Sequence, residues 1–150
     1  TGLSLLPYFE GERTPNRPNA TGVFSGMNIA NSNPADIARA MIEGMLSGLA
    51  DAVAALEDLG VDIKRVLIIG GAAKNPAVGQ IASALFGRPV LIPPAGEYVA
   101  DGAAKQAAWA LLGGATPPVW DLGKAMHIEA AATPAVLEKY RTLRDATVNW

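Results

Sequence analysis

The run Val66-Leu67-Ile68-Ile69, followed at once by Gly70-Gly71-Ala72-Ala73-Lys74 and then by Asn75-Pro76, constrains this chain more than any other stretch. Four consecutive branched apolar residues without alternation are the pattern of a strand covered on both faces, as in a sheet flanked by helices. The two glycines permit a sharp turn, and Asn75 can cap a helix whose first position is Pro76, where a missing N–H costs nothing. That helix carries Val78, Ile81, Ala82, Leu85 and Phe86 at helical spacing and stops at Gly87. Pro89 to Ile92 reads as a second strand, Pro93-Pro94-Ala95-Gly96 as a turn, and Tyr98 to Leu112 as an Ala-rich helix.

Upstream, Asn33-Pro34 repeats the same start signal, and Asp36 complements the positive end of the helix it opens. From Pro34 to about Leu59 the residues Ile37, Met41, Met45, Leu49, Val53 and Leu56 recur at three- and four-residue steps and predict the packed face. Gly44 and Gly48, four apart, would form a flat strip against which another backbone packs closely; each lowers helix propensity, so something should compensate. Gly60 is expected to end the helix in the left-handed conformation. Helix, strand, helix, strand, helix is an α/β layer pattern.

The flanks are less regular. Leu3 to Tyr8 is a candidate strand, the segment from Glu10 to Asn19 is a loop dense in turn formers, and Gly22 to Met27 is a second short apolar stretch. After Gly113-Gly114 the pattern is weak, with short extended pieces expected around Val119-Trp120 and from Met126 to Ile128. A last helix is predicted from about Pro134 to Asn149, capped by Thr133, with Val136, Leu137, Tyr140, Leu143 and Val148 on its apolar side.

Composition removes several classes of function. A chain of 150 residues, 50% apolar, is of ordinary size for one domain with a real core. A net charge of −2 with scattered Lys and Arg provides no basic stripe for a nucleic-acid backbone. The absence of cysteine excludes disulfides, thiolate nucleophiles and Cys-based metal sites, and fits a reducing cytoplasm. The uncharged stretch from Gln106 to Trp120 is broken by Gly113-Gly114 and Pro117-Pro118, so no membrane span is expected. The opening Thr1-Gly2-Leu3-Ser4 lacks an initiator Met and any leader pattern, and reads as the middle of a longer protein.

Chemistry concentrates at the turn between Ile69 and Pro76. Glycines there let a ligand approach the backbone, and the following helix start offers unpaired N–H groups and a positive dipole end. The segment is neither Gly-x-Gly-x-x-Gly nor a loop ending in Gly-Lys-Ser/Thr, since Lys74 precedes Asn75. By local physics, a nucleotide turn and a packing turn are both open. Elsewhere, His127 has no second ligand at metal-binding spacing, and no metal site is expected in the chain. Trp109, Trp120 and Trp150 read as core or interface residues. The seven aspartates read as helix caps or surface charges, Asp101 standing closest to the turn. Glu12 and Arg13, adjacent in a turn-rich loop, either order a cleft near phosphates or pin the loop to its neighbours.

Three blocks, in order, resemble one family. Leu67-Ile68-Ile69-Gly70-Gly71-Ala72-Ala73-Lys74-Asn75 with Gln80 to Val90 is similar to the C-terminal signature of FGGY carbohydrate kinases. Leu6-Pro7-Tyr8-Phe9-Glu10-Gly11-Glu12-Arg13-Thr14-Pro15 with Asn19 to Gly26 resembles the preceding block in its bacterial xylulokinase version, and Gly96 to Ala104 resembles the helix start that follows. The resemblance covers nearly all of residues 3 to 112. It implies an α/β, actin- and hexokinase-like (ribonuclease H-like) fold, partial here, with helices packed on a mixed sheet. Residues 1–150 would be the C-terminal nucleotide-binding domain of a longer two-domain cytoplasmic kinase, with about 115–150 as an extension ending in a helix.

The same resemblance implies the site. Gly70, Gly71 and Ala72 would lay backbone against the adenine and ribose of ATP or ADP, and the Asn75 side chain would contact the base. Lys74 stands where the family varies, so contact with ribose or phosphate and plain solvation both remain open. The catalytic Asp, the phosphate loops and most contacts to Mg2+ are expected upstream of these residues, as is the domain that holds the sugar. The parent would transfer the ATP γ-phosphoryl group to D-xylulose, giving D-xylulose 5-phosphate, while this chain alone would be inactive. Gluconate or a polyol as substrate, or a non-catalytic actin-like nucleotide-binding module, are the alternatives; a homodimer is left open.

Overall fold

Two Asn-Pro pairs start the two helices that carry the core. In the computed structural model, which describes residues 2–121 and 123–148, α1 runs Pro34–Asp58 and α2 runs Pro76–Phe86. The Asn33 side chain accepts from the Ala35 and Asp36 N–H groups, both at 3.1 Å, and donates to the Asp36 carboxylate at 2.7 Å. Asn75 accepts from the Ala77 N–H at 3.0 Å. Helix α1 closes as the glycine at its end requires: Gly60 sits at φ +83°, its N–H reaches the Glu57 carbonyl, and the Val61 N–H reaches the Leu56 carbonyl. That pair of bonds satisfies carbonyls otherwise left open at the helix end.

The remaining elements follow the expected order. Strands β1 (Ser4–Leu6) and β2 (Val23–Ser25) pair antiparallel, with Leu5 opposite Phe24. Strand β3 (Val66–Leu67) pairs parallel with β4 (Val90–Ile92), and β4 pairs antiparallel with β5 (Met126–Ile128), in the order β3-β4-β5. A 3-10 turn spans Gly71–Lys74, α3 spans Tyr98–Leu112, and α4 spans Pro134–Ala146. The sheet is therefore mixed, with helices packed on it. No helix among the described residues is long and apolar enough to cross a membrane.

The core has two parts. Leu46, Val78, Ile81, Ala82, Leu85 and Val90 form the larger, joining α1 and α2 to the sheet. Full burial of one such Leu, Ile or Val contributes about 1.5–3 kcal/mol. Leu6, Tyr8 and Tyr140 form the smaller, where α4 lies over β1. An ion-pair cluster ties the same elements: Asp51 on α1 accepts from Arg141 at 2.6 Å and from Arg144 at 2.5 Å, and the Arg144 carbonyl accepts from Arg17 at 2.5 Å.

Four expectations are corrected. The buried face of α1 is not the Met and Leu stripe but Ala40, Glu43, Gly44, Leu46, Ser47 and Ala50. Met41, Met45, Leu49 and Leu56 are exposed. The helix is apolar almost all round, so periodicity finds two faces, and close approach selects the one lined with small residues. A β-carbon on Gly44 would lie 2.5 Å from the Leu5 carbonyl oxygen, which is why this position is glycine. Strand β3 is two residues long rather than four, and it sits at a sheet edge with Leu67 and Ile69 each 46% exposed, so it is not covered on both faces.

Val119 and Trp120 lie outside any strand. Thr133 occupies the cap position of α4 without a side-chain bond; instead its backbone N–H donates to the Ala84 carbonyl at 2.9 Å, anchoring the chain to α2. Asn149 and Trp150 lie outside the described residues.

Candidate functional site

Because β3 and β4 are parallel, their carboxyl ends lie at the same edge of the sheet. The turn leaving β3 and the turn leaving β4 therefore rise side by side, and open α/β sheets bind ligands in the crevice between such turns. Here the crevice has a volume of about 480 Å³. One wall is Ile68, Ile69, Gly70, Gly71, Ala73 and Lys74; the other is Ile92 through Tyr98; Lys124 and Met126 close it from the β5 side.

The first wall has a backbone that only glycine supports. Gly70 takes φ +94°, ψ −176°, a region essentially closed to residues with a β-carbon. Its carbonyl accepts from the Ala73 N–H at 3.2 Å, and the Ala72 carbonyl accepts from the Asn75 N–H at 3.1 Å, winding the turn into α2. At Gly71 the conformation is ordinary and an added β-carbon would meet nothing within 4 Å. Folding thus explains Gly70 but leaves Gly71 unexplained. The second wall is held by Tyr98, whose hydroxyl donates to the Pro94 carbonyl at 2.5 Å.

The structure gathers Gly70, Gly71 and Lys74 in this crevice and leaves Ala72 and Asn75 outside its lining. Both are exposed, and the Asn75 side-chain oxygen serves as the cap of α2. Asp101 borders a separate small cavity of about 100 Å³ with Tyr98, Gly102, Lys105 and Trp120. Glu12 turns on its own loop, one carboxylate oxygen accepting from the Arg13 N–H at 2.7 Å and the Thr14 N–H at 3.0 Å. It belongs to a different groove, of about 620 Å³, shared with Gly44, Met45, Asp51 and Tyr140. His127 is exposed in β5, opposite Leu91.

Trp109 donates to the Gly114 carbonyl at 2.9 Å, and Trp120 borders the small cavity, so both serve the α3 end of the molecule. Among the described residues no three His, Asp or Glu side chains gather as a metal set. Among the described residues lining the crevice there is one carboxylate, Glu97. These residues do not build a magnesium site.

Sequence reasoning missed Ile68, Ile69 and Ala73, the wall from Ile92 to Tyr98 and, from the β5 side, Lys124 and Met126. The segment of these last two carries little periodic pattern. The clue was Met126 to Ile128 as an extended piece, which becomes informative only once β5 is known to return antiparallel along β4.

A mixed sheet flanked by helices, with a glycine-walled crevice at its carboxyl edge, places the molecule in the actin- and hexokinase-like class of folds. Within that class the match is specific. Residues 1–111 fit the model of the FGGY family of carbohydrate kinases, C-terminal domain. The chain is 40% identical over 114 residues to the xylulose kinase of Streptomyces coelicolor, covering 75% of this chain and 24% of that protein. It is 39% identical over 119 residues to the glycerol kinase of Alkalilimnicola ehrlichii, covering 77% and 24%.

Among solved structures, the xylulose kinase from Bifidobacterium adolescentis superposes with a TM-score of 0.79 at 47% identity, over 95% of this chain and 28% of that one. The chain belongs to the FGGY family of carbohydrate kinases and corresponds to its C-terminal domain. It spans about a quarter of the length of these relatives.

Proposed function

We propose that residues 1–150 form the C-terminal, adenosine-binding domain of a two-domain cytoplasmic sugar kinase, and that the crevice between the β3 and β4 turns holds ATP. The observation that carries this reading is Gly71. Among the described residues a side chain at Gly71 would meet nothing within 4 Å, and the glycine faces open space beside a 480 Å³ cleft. Backbone at Gly70 and Gly71 then lies against adenine and ribose, with Lys74 near ribose or phosphate and Ala72 beside the ligand rather than under it. Asn75 lies outside the cleft lining and its oxygen caps α2, so a contact with the base would come from its amide nitrogen reaching over the rim.

The parent enzyme transfers the γ-phosphoryl group to D-xylulose, giving D-xylulose 5-phosphate. Among relatives, the xylulose kinases of Streptomyces coelicolor and Bifidobacterium adolescentis support this choice. The similarity to a glycerol kinase at 39% identity supports a polyol as the second candidate substrate. The proton acceptor, the sugar contacts and the Mg2+ ligands belong to the remainder of the parent, where catalysis rests on positioning and electrostatic stabilisation. The 150-residue chain alone binds nucleotide weakly and transfers no phosphate.

The test is ADP release from ATP by the longer parent protein, with xylulose, glycerol or gluconate. Turnover that appears only with xylulose supports the assignment, and turnover with glycerol instead moves it to the polyol. Nucleotide binding with no sugar-dependent turnover leaves an actin-like binding module. Phosphorylation of xylulose by residues 1–150 alone would contradict the division of labour.

A further inference from the structure

We propose that Lys124, which lies beyond the family-matched residues 1–111, is a phosphate-contacting residue of the nucleotide cleft. The inference rests on the reading of that cleft as a nucleotide site and adds to it which part of the ligand the β5 side meets.

The position of Lys124 is set by topology. Strand β5 runs antiparallel to β4 with Met126 opposite Ile92, so the residues just before β5 arrive at the carboxyl edge of the sheet. Side chains two apart on extended backbone share a face, and Lys124 and Met126 both line the cleft. The approach is pinned by Gly123. Its φ is +73°, its N–H donates to the Asp121 carboxylate at 2.8 Å, and a β-carbon there would come within 3.0 Å of the Pro94 ring. Lys124 is therefore held against the turn that forms the second wall.

Charge completes the argument. Lys74 follows β3 on one wall and Lys124 precedes β5 on the side that closes the cleft, while Glu97 is the one carboxylate among the described lining residues. Two lysines from separate elements lining one cleft fit a ligand with a polyanionic centre, a nucleoside di- or triphosphate. An unphosphorylated nucleoside gives them nothing to neutralise. Lysine acts on phosphate as a mobile point charge, so the contact depends on its charge and reach.

The experiment is calorimetric titration of the full chain with ADP and, separately, with adenosine, for wild type, Lys124→Ala and Lys124→Arg. Far-UV circular dichroism checks that each variant is folded; Lys124 is exposed. Lys124→Ala is expected to weaken ADP about tenfold, the scale of one charge-assisted hydrogen bond. Adenosine affinity stays unchanged, Lys124→Arg keeps most of the ADP affinity, and the salt dependence of ADP binding becomes shallower in the alanine variant. Equal ADP affinity in wild type and Lys124→Ala overturns the role of Lys124 while the nucleotide cleft stands. A loss shared equally by ADP and adenosine overturns it too, since the residue would then be shaping the wall. Wild type binding neither ligand overturns both readings.

Discussion

At Gly44 a β-carbon would sit 2.5 Å from the Leu5 carbonyl oxygen, whereas at Gly71 it would meet nothing within 4 Å. The first glycine lies where α1 crosses β1, in the half of the molecule built from Leu6, Tyr8, Tyr140 and the Asp51 ion pairs. The second lies on the cleft rim, in the turn that joins the edge strand β3 to α2, across the cleft from Tyr98 at the start of α3. At Gly44 neighbouring backbone occupies the space a side chain would need, and at Gly71 that space is open. The same residue type thus marks a packing constraint in one place and open space beside a cleft in the other, and only the surrounding atoms distinguish them.

The contrast can be broken most forcefully at Gly44. Gly44→Val should lower the unfolding free energy by about 3 kcal/mol in urea, because a branched side chain must displace β1 backbone. Little change would mean that α1 and β1 are not held together as described. Asp51→Ala comes next. It leaves Arg141 and Arg144 without their shared partner, and a loss of about 2 kcal/mol is expected, between the values for exposed and buried pairs.

Tyr140 sharpens the same half through pH. Burial, and then the contact with the Tyr8 hydroxyl at 3.5 Å, pushes its phenol well above the ordinary value. The unfolded chain therefore releases this proton first. Stability from this group is intact below about pH 10 and falls by up to about 1.4 kcal/mol per pH unit above it. Tyr140→Phe should remove that part of the alkaline slope, and an identical slope in the variant would contradict the burial of a neutral phenol.

The two helix caps give a smaller comparison. Asn33→Ala and Asn75→Ala should each cost about 1 kcal/mol of stability, since both side chains cap a helix start. Only Asn75→Ala should also weaken ADP binding. Equal nucleotide affinity in the two variants would reduce Asn75 to a cap.

Local signals made most of the fold legible. Asn-Pro starts and glycine stops have one physical meaning wherever they occur, so α1 and α2 follow from sequence almost residue by residue. What escaped depends on partners distant in the chain. Met41, Met45 and Leu49 have the right spacing for a packed face, but Ala40, Gly44 and Ala50 win because β1 must come close. Asp51 resembled any surface charge until α4, some ninety residues later, brought Arg141 and Arg144 to it. At the site, Gly70 and Gly71 were visible as a turn, whereas Lys124 required the pairing of β4 with β5. Thr133 looked like a cap because its type and position suit one, yet its backbone bond to Ala84 fixes the helix start instead.

The claim that the glycine rim is kept clear for a nucleotide is tested most directly by Gly71→Val, measured in two ways on the same preparation. The urea midpoint should correspond to wild-type stability within about 0.5 kcal/mol, as at any site where a new side chain meets only solvent. Calorimetric titration with ADP should show binding to wild type and none to the variant. Unchanged ADP affinity in Gly71→Val would contradict the account, leaving the turn as a structural connection between β3 and α2.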